Sequence, residues 1–285
     1  MRNALSRLLA FGLILCVTLV GGCKSVGDAI KSGVKPTARI TAVKFQELSL
    51  TKVDLVFDVE VTNPYGVSLP LLDLSYSIGS SGQKVLAGGV KPSTALPANG
   101  STVIQVPTSI SFVSLMSIVK TIRPGQVVPY RADFTVGVDA PVIGAVSIPL
   151  THEGEIPVPA IPDVSLISLQ IDSLNFDKVE TTLKLRVRNT NQFDLDLARL
   201  GLNLALGGQQ VASTSVDSPT KLPPGQTATV AIPASFSPRA FGIGVFNLLR
   251  GTETGYGMTG SLEVGTRFGP VTMPFDHQGN ASISR

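Results

Sequence analysis

Apolar and polar residues alternate along much of the chain, which is the pattern of β-strands with one buried face. Residues 52–61 show it most clearly, and residues 178–188 repeat it. Because successive side chains of a strand point to opposite faces, each run should place one face in a core and the other in water. Several short strands at regular spacing predict antiparallel β-sandwiches. Further alternating runs occupy residues 72–78, 103–106, 132–138, 200–204, 229–232 and 258–264.

The chain is a tandem repeat with a shift of 126 residues, which becomes 125 after one deletion. Two domains of about 120 residues each follow from this shift. The prolines of residues 156–159 are typical of a stiff, extended linker. We therefore expect one domain over residues 37–157 and a second over residues 158–285. Matched pairs include Asn63 and Asn189, Leu96 and Leu222, Pro107 and Pro233, Tyr130 and Tyr256, and His152 and His277.

One segment of each repeat has apolar residues three or four positions apart, as an amphipathic helix does. In the first repeat Ser111 precedes this stripe, and the Pro-Gly pair at 124–125 stops it. In the second, Ser237 and Pro238 predict an N-cap and a first-turn proline, and Gly251 ends the stripe. Each sandwich should thus carry one amphipathic helix that covers a sheet end or opening. The stripes are Phe112, Leu115, Met116, Val119 and Ile122, and Phe241, Val245, Leu248 and Leu249.

The first 23 residues are typical of an exported lipoprotein. A basic segment without acids precedes an apolar run at residues 8–20. That run is shorter than the roughly 20 residues needed to span a bilayer and suits a signal peptide. It ends in a lipobox, Leu-Val-Gly-Gly-Cys at residues 19–23, whose small residues precede the cysteine. We expect residues 1–22 to be removed as a signal peptide, lipid to be attached to Cys23, and residues 23–36 to form a flexible tether.

Cys23 also determines the expected location. Cys16 lies in the removed segment, so Cys23 would be the only thiol of an exported chain and would lack a disulfide partner. Lys24 follows it in place of the aspartate of the usual inner-membrane retention signal, which favours the outer membrane of a Gram-negative bacterium, facing the periplasm. The expected partners are the membrane, through a triacylated Cys23, and envelope proteins or lipids. The alternative is a plain signal peptide with an incidental cysteine.

Composition and charge narrow the function classes. The hydrophobic fraction is 43% and the charged fraction 15%, which favours a packed core over disorder. The net charge of +3 falls to +1 without Arg2 and Arg7, so we expect no nucleic-acid partner. The sequence has two histidines, no G-x-S-x-G run, no P-loop and no thiol that would survive lipidation. We therefore expect no enzyme activity, no catalytic residues, no metal and no cofactor.

The turns resemble those of a known family, the late-embryogenesis-abundant type 2 domain, also called WHy for water stress and hypersensitive response. The first repeat ends a strand in Asn-Pro-Tyr at residues 63–65 and has Leu-Pro-Ala-Asn-Gly at residues 96–100, where the family has Asn-Pro-Asn and Leu-Pro-x-x-Gly turns. The second has Asn-Thr-Asn at residues 189–191. The resemblance covers the mature chain twice. It implies tandem immunoglobulin-like or fibronectin-III-like antiparallel sandwiches, each with one helix, and an association with desiccation tolerance. No catalytic residues are established for the family.

Two pairs of matched polar residues are candidate sites. Asn63 and Asn189 are interpreted as structural, because asparagine tolerates a left-handed backbone and hydrogen-bonds its own turn. His152 and His277 are either metal ligands or pH sensors, or they share a structural contact with the fold. The structural interpretation is favoured, since each repeat offers a single histidine and a metal site needs three or four convergent ligands.

The charge of the matched strands is reversed between the repeats. Asp58 and Glu60 of the first correspond to Lys184 and Arg186 of the second. One interpretation is two solvated faces with ordinary cross-strand ion pairs. The other is that the acidic face of one domain meets the basic face of another, within the chain or between molecules.

The sequence leaves two non-catalytic functions open. The first is a stress-protective or structural protein of the envelope, in which two sandwiches on a tether shield other components during desiccation. The second is a lipid or hydrophobic-ligand binder with a groove between sheet and helix, although ordinary core is the favoured interpretation of its lining stripe. The residues expected to line such a groove are Phe112, Met116, Phe241 and Phe246.

Overall fold

Strands dominate both repeats in the computed structural model, which describes residues 34–140 and 144–285. The first repeat contains β1 (Thr37–Leu48), β2 (Lys52–Thr62), β3 (Leu69–Ser80), β4 (Gln83–Val90), β5 (Ala95–Leu96), β6 (Ser101–Ser111), α1 (Phe112–Ile118), β7 (Val127–Ala140) and β8 (Gly144–Pro157). The second contains β9 (Asp163–Leu174), β10 (Val179–Arg188), β11 (Leu195–Leu206), β12 (Gln209–Leu222), β13 (Thr227–Phe236), a 3₁₀ turn (Pro238–Ala240), α2 (Ile243–Leu249), β14 (Glu253–Thr266) and β15 (Gly269–Ser284).

The strands of the two repeats follow the same order. In the first domain they form two sheets, β1-β2-β6 and β4-β3-β7-β8, and the short β5 pairs with β3. In the second, β9-β10-β13 and β12-β11-β14-β15 occupy the equivalent places, but the pairing of β15 with β9 joins them into one seven-stranded sheet. The prediction of two tandem, mainly β domains, each with one helix, is confirmed. One pairing in the second domain is parallel: Ser282–Ser284 of β15 pair with Ser168–Gln170 of β9.

The core of each domain is built from the alternating strands. In β2 the residues Val53, Leu55, Phe57, Val59 and Val61 have no solvent exposure, as the period of two predicts. The other face of β2 is less exposed to solvent than the alternation predicts, because Asp58 is also buried.

The helices are shorter than the apolar stripes that predicted them. Helix α1 begins after Ser111, whose hydroxyl accepts the N–H of Ser114, and it ends at Ile118. In the second repeat the prediction of a helix capped by Ser237 is wrong: its side chain makes no capping hydrogen bond, and Pro238 starts only a 3₁₀ turn. Gly242 then interrupts the helical conformation before α2. Its φ of +84° is accessible to glycine and strained for other residues.

The linker between the domains is buried rather than free. Ile156 and Val158 are each 1% exposed, and the two prolines beside them are buried as well. The N–H of Val158 donates to the carbonyl of Gln126 at 2.8 Å, and the N–H of Gly125 donates to the carbonyl of Val158 at 2.6 Å. The prolines therefore join the two domains by a packed strand end rather than by a solvated spacer.

An aromatic contact joins the domains end to end. Phe268, in the β14–β15 turn, packs against Phe45 of the first domain at a ring-centroid distance of 5.2 Å and against Phe193 of its own domain at 5.9 Å. Beside it, Arg267 donates to a carboxylate oxygen of Glu155 at 2.9 Å. The turn end of the second domain thus lies against the linker end of the first.

Candidate functional site

The residue expected to carry the lipid, Cys23, lies outside the described residues, as does the signal peptide, so lipidation stays a prediction. Of the predicted tether only residues 34–36 are described, and they contact the first domain: Pro36 is buried, and the carbonyl of Val34 accepts the Tyr65 hydroxyl at 3.0 Å. Among the residues that the structure covers, no helix is long and apolar enough to cross a membrane.

The asparagine at the end of β2 holds the turn after that strand together. Asn63 is 1% exposed, and its amide N–H groups donate to the carbonyls of Val67 at 2.7 Å and Pro97 at 2.8 Å. Its side-chain oxygen accepts the N–H of Tyr65 at 2.9 Å. One side chain therefore satisfies three backbone groups that would otherwise be left unpaired in the interior.

The second repeat reproduces this arrangement. Asn189 is fully buried, donates to the carbonyls of Phe193 and Leu222 at 2.8 Å each, and accepts the N–H of Asn191 at 2.8 Å. The structural interpretation of both asparagines is confirmed. The expectation of a left-handed backbone at Asn63 and Asn189 is wrong, since among the described non-glycine residues only Ser81 and Asn99 have a positive φ.

The third residue of each turn fastens the segment that leads into the domain. In the second repeat the Asn191 amide donates to the carbonyl of Ala160 at 2.9 Å and accepts its N–H at 2.7 Å. In the first repeat Tyr65 stands at this position and reaches the carbonyl of Val34, which matches Ala160 in the repeat. The departure from Asn-Pro-Asn thus keeps one of the two hydrogen bonds by a phenolic hydroxyl. The sequence showed the departure but not this contact.

Each histidine shares an aromatic contact with the tyrosine of the preceding strand. His152 lies 6.0 Å from the ring centres of Tyr130 and Phe57, and His277 lies 5.9 Å from that of Tyr256. Both are half-buried, and no group of three or more potential ligands occurs within the described parts of the chain. The geometry agrees with the shared structural contact. Burial raises the pKa of the Tyr130 hydroxyl to about 12.

The acidic residues of β2 are paired within their own domain. Lys44 of β1 donates to Asp58 at 2.6 Å, and Arg39 of β1 donates to Glu60 at 2.6 Å. Nearby, hydrogen bonds from the Lys52 ammonium and the Ser109 hydroxyl hold the pKa of Asp54 below its ordinary value. This face of the first domain is therefore a ladder of cross-strand ion pairs, as the first interpretation of the charge reversal predicts.

The matched basic residues differ from this ladder. Lys184 and Arg186 of β10 oppose small polar or apolar residues, Ser168 and Ala231 for the lysine, Ser165 and Thr229 for the arginine. Within the described residues neither side chain has a carboxylate within ion-pair distance. Within the described part of the chain, the acidic face of β2 and the basic face of β10 make no ion pair with each other.

The residues expected to line a sheet–helix groove do not share one environment. Phe112 is 1% exposed and belongs to the core, whereas Met116, Phe241 and Phe246 are half-buried. Phe246 packs edge-on against Phe176 at a centroid distance of 5.7 Å. Phe112 therefore fits the ordinary-core interpretation, and ligand binding at the helix stays a prediction.

Two sandwiches with the same strand order and the same buried asparagine turn define a protein made of one duplicated domain. The family model described as "Late embryogenesis abundant protein" (LEA_2) matches residues 58–154 and 184–279, at the offsets of the internal repeat. The chain belongs to this family. The resemblance seen in the turns is thereby confirmed.

The relatives that match cover about half of the chain. A Glycine max protein named "Desiccation protectant protein Lea14 homolog" is 32% identical over 139 residues, 49% of this chain and 91% of that protein. The "Late embryogenesis abundant protein Lea14-A" of Gossypium hirsutum is 30% identical over 139 residues, 49% of this chain and 92% of that protein. A solution structure of a late embryogenesis abundant protein of Arabidopsis thaliana is 30% identical, covers 49% of this chain and 82% of that one, and has a TM-score of 0.39.

Proposed function

We propose that this protein is a non-catalytic protectant that shields other molecules of the cell envelope when water is lost. The observation that carries the proposal is the duplication of a family domain whose relatives are named for desiccation protection. The physical character of the fold supports it. Strands present alternating polar residues to solvent, so two sandwiches expose a large polar surface beside a client while their own cores stay packed.

Drying a test enzyme with this protein checks the proposal directly. Lactate dehydrogenase is dried and rehydrated alone, with the purified chain, or with an equal mass of an unrelated β-sandwich protein. We expect a larger fraction of activity to be recovered with the chain than with the control protein. If one copy of the domain suffices, an equal mass of either single domain should give the same advantage. Equal recovery with the chain and the control protein would exclude specific protection.

We also propose that the protein acts at the inner face of the outer membrane, held by lipid on Cys23. The lipobox at residues 19–23 supports this location, as does the absence of a second cysteine after it in the sequence. A triacylated N-terminus buries enough methylene groups for firm attachment, because each buried CH₂ contributes about 0.8 kcal/mol.

Cell fractionation tests the anchor. Replacing Cys23 with serine should move the protein from the membrane to the soluble fraction while leaving its circular dichroism spectrum unchanged. Cys16→Ser is the matched control, since that cysteine lies in the segment expected to be removed. Membrane attachment that survives Cys23→Ser would refute the lipid anchor and would leave the protective role untouched.

A further inference from the structure

Seven matched apolar positions are buried in the second domain and half-buried in the first. In the second domain all seven are at most 7% exposed; they are Val164, Leu166, Leu169 and Ile171 of β9, and Val271, Met273 and Phe275 of β15. The first-domain counterparts are half-buried; they are Ala38, Ile40, Val43 and Phe45 of β1, and Val146, Ile148 and Leu150 of β8. Phe45 contacts Phe268 of the second domain, and we call the other six first-domain residues the β1–β8 seam.

The segment at the end of the last strand of each domain explains this difference in burial. In the second domain Ser282–Ser284 of β15 pair with Ser168–Gln170 of β9, so the chain's own end joins the two sheets. The matched segment of the first domain is the linker at residues 157–159, which leaves toward the second domain and carries prolines at both ends. Proline has no N–H to donate, so this segment is poorly suited to closing the first sandwich.

The seam therefore lies between two edge strands. β1 ends the sheet β1-β2-β6 and β8 ends the sheet β4-β3-β7-β8, and within the described residues neither has a hydrogen-bonded strand on its outer side. Such edges are templates for a further strand, since their outward N–H and C=O groups are unpaired. β1 is the better template, because Pro149 interrupts the donors of β8 and residues 37–48 contain no proline.

We propose that the β1–β8 seam binds an extended apolar segment of a client protein that has begun to unfold, added as a strand to the edge of β1. The proposal rests on the protective function above and names what part of a client is recognised. By the repeat shift, the parallel pairing of β15 with Ser168–Gln170 transfers to Ala42, Val43 and Lys44. Backbone hydrogen bonds would give affinity for many sequences, and every second side chain would fill the seam.

A peptide fits this seam better than an acyl chain does. An acyl chain would cover the apolar side chains but leave the backbone groups of both edges without partners, whereas a strand satisfies them. The second domain also closes the equivalent place with a peptide, in which Ala281 is buried and Ile283 half-buried on alternate positions. Unfolding proteins expose such alternating apolar segments.

Photo-crosslinking of the full chain tests the seam. A benzoylphenylalanine photo-crosslinker replaces Val43, and in the control it replaces Val103, an exposed apolar residue (52%) of β6. β6 is the other edge of the same sheet, but Pro107 interrupts its donors as Pro149 interrupts those of β8. The client probe is reduced, carboxymethylated α-lactalbumin, which stays unfolded. We expect about tenfold more crosslinked client from position 43 than from position 103. Equal yields, or crosslinks from position 43 only to residues 1–33 of the same chain, would overturn the proposal.

A charge in the seam gives an independent readout. Val43→Lys should weaken client binding about tenfold, measured by fluorescence anisotropy, while Val103→Lys should leave it unchanged. Leu150→Lys on the other side of the seam repeats the test if Val43→Lys fails to fold by circular dichroism. If oleate displaced the client and also co-purified with the protein, the occupant of the seam would be an acyl chain rather than a peptide. That result would overturn the proposal.

The seam and the protective function can fail separately. A Val43→Lys protein that binds the client and preserves dried lactate dehydrogenase as well as the wild type overturns the seam alone. Wild-type protein that crosslinks the client at position 43 but preserves no enzyme overturns the protective function alone. Loss of both client binding and protection in Val43→Lys, with both retained in Val103→Lys, supports the two together.

Discussion

At the scale of single residues, the buried asparagine of each repeat satisfies three backbone groups of its own domain. Asn189→Ala would leave the carbonyls of Phe193 and Leu222 and the N–H of Asn191 without their partner. Because each unsatisfied buried group costs about 1–3 kcal/mol and some will recruit water, we expect a loss of about 3 kcal/mol in the free energy of unfolding. Urea denaturation followed by circular dichroism measures it.

Asn280→Ala is the matched control for this prediction. Asn280 is exposed on β15, so the same change should alter the free energy of unfolding by less than about 0.5 kcal/mol. Similar losses in the two variants would show that the hydrogen bonds of Asn189 contribute nothing beyond those of a surface amide.

Tyr130 predicts how the first domain responds to alkali. Its pKa is raised from 10.0 to about 12 by burial, so the folded state keeps the hydroxyl proton over a range in which the unfolded chain loses it. The unfolded state is then favoured as the pH rises: stability is complete below about pH 10 and falls by up to about 2 kcal/mol between about pH 10 and 12. In Tyr130→Phe this part of the decline should vanish, as urea titrations at about pH 9 and 11.5 would show. A decline of the same size in Tyr130→Phe would assign it to other groups.

Residues whose contacts are local could be predicted from the sequence, whereas contacts with partners far along the chain could not. The hydrogen bonds of Asn63 to Tyr65 and Val67 follow from the turn chemistry of asparagine, whereas its bond to the Pro97 carbonyl spans 34 residues and does not. In contrast, the burial of Asp58 depends on Lys44, which lies opposite Val56 on the bulged strand β1 and reaches Asp58 diagonally. Alternation alone predicts an exposed position for Asp58. The contact of Tyr65 with Val34 likewise spans 31 residues. Periodicity carries no information about such pairs.

At the scale of elements, strands were predictable and helix ends were not. The strands could be placed because a period of two requires only that one face be buried. The stripe Phe241, Val245, Leu248 and Leu249 matched a helix, yet Gly242 interrupts it, and an apolar spacing does not reveal which backbone conformation a glycine adopts. The parallel pairing at the end of β15 could not be predicted from the sequence either, since the relative direction of two strands follows from the path of the whole chain.

The position of Gly242 before α2 predicts that replacing glycine with alanine has opposite effects on stability at residues 242 and 244. Gly242→Ala has space for the new methyl group but places alanine at φ +84° and ψ 174°, so it should cost about 1–3 kcal/mol. Gly244→Ala lies within α2, also with open space, and should stabilise by about 0.5–1 kcal/mol through helix propensity. Thermal unfolding should move down for the first variant and up for the second. A shift in the same direction for both would mean that the break has no conformational cost.

At the scale of the whole molecule, the duplication has produced two domains with different open surfaces. The second closes its sandwich with its own last strand, whereas the first uses the equivalent segment as the linker and leaves the seam between β1 and β8. The repeat could be read from the sequence. The unequal closure could not, because the apolar residues at the seven matched positions are similar and only the path of the chain after them differs.

The contact between the domains depends on Phe268 more than on charge. Phe268 is 7% exposed between Phe45 and Phe193, and truncating a buried phenylalanine removes several kcal/mol of packing. Phe268→Ala should therefore loosen the angle between the domains and increase the radius of gyration in small-angle scattering. Phe176→Ala, the same change at a residue 36% exposed, should leave the scattering profile unchanged.

Reversing the charges of β2 separates this packing contact from electrostatic docking of the two faces. If the acidic face of the first domain held the basic face of the second, Asp58→Lys with Glu60→Lys would change the scattering profile. We expect no change, because Lys44 and Arg39 of the same domain are the partners of those carboxylates. The double variant should instead lower the melting temperature of the first domain, since each reversal places a lysine beside a basic side chain of β1, opposite Arg39 and diagonal to Lys44. An altered profile in this variant, with Phe268→Ala unaltered, would mean that charge rather than the Phe268 contact sets the orientation of the domains.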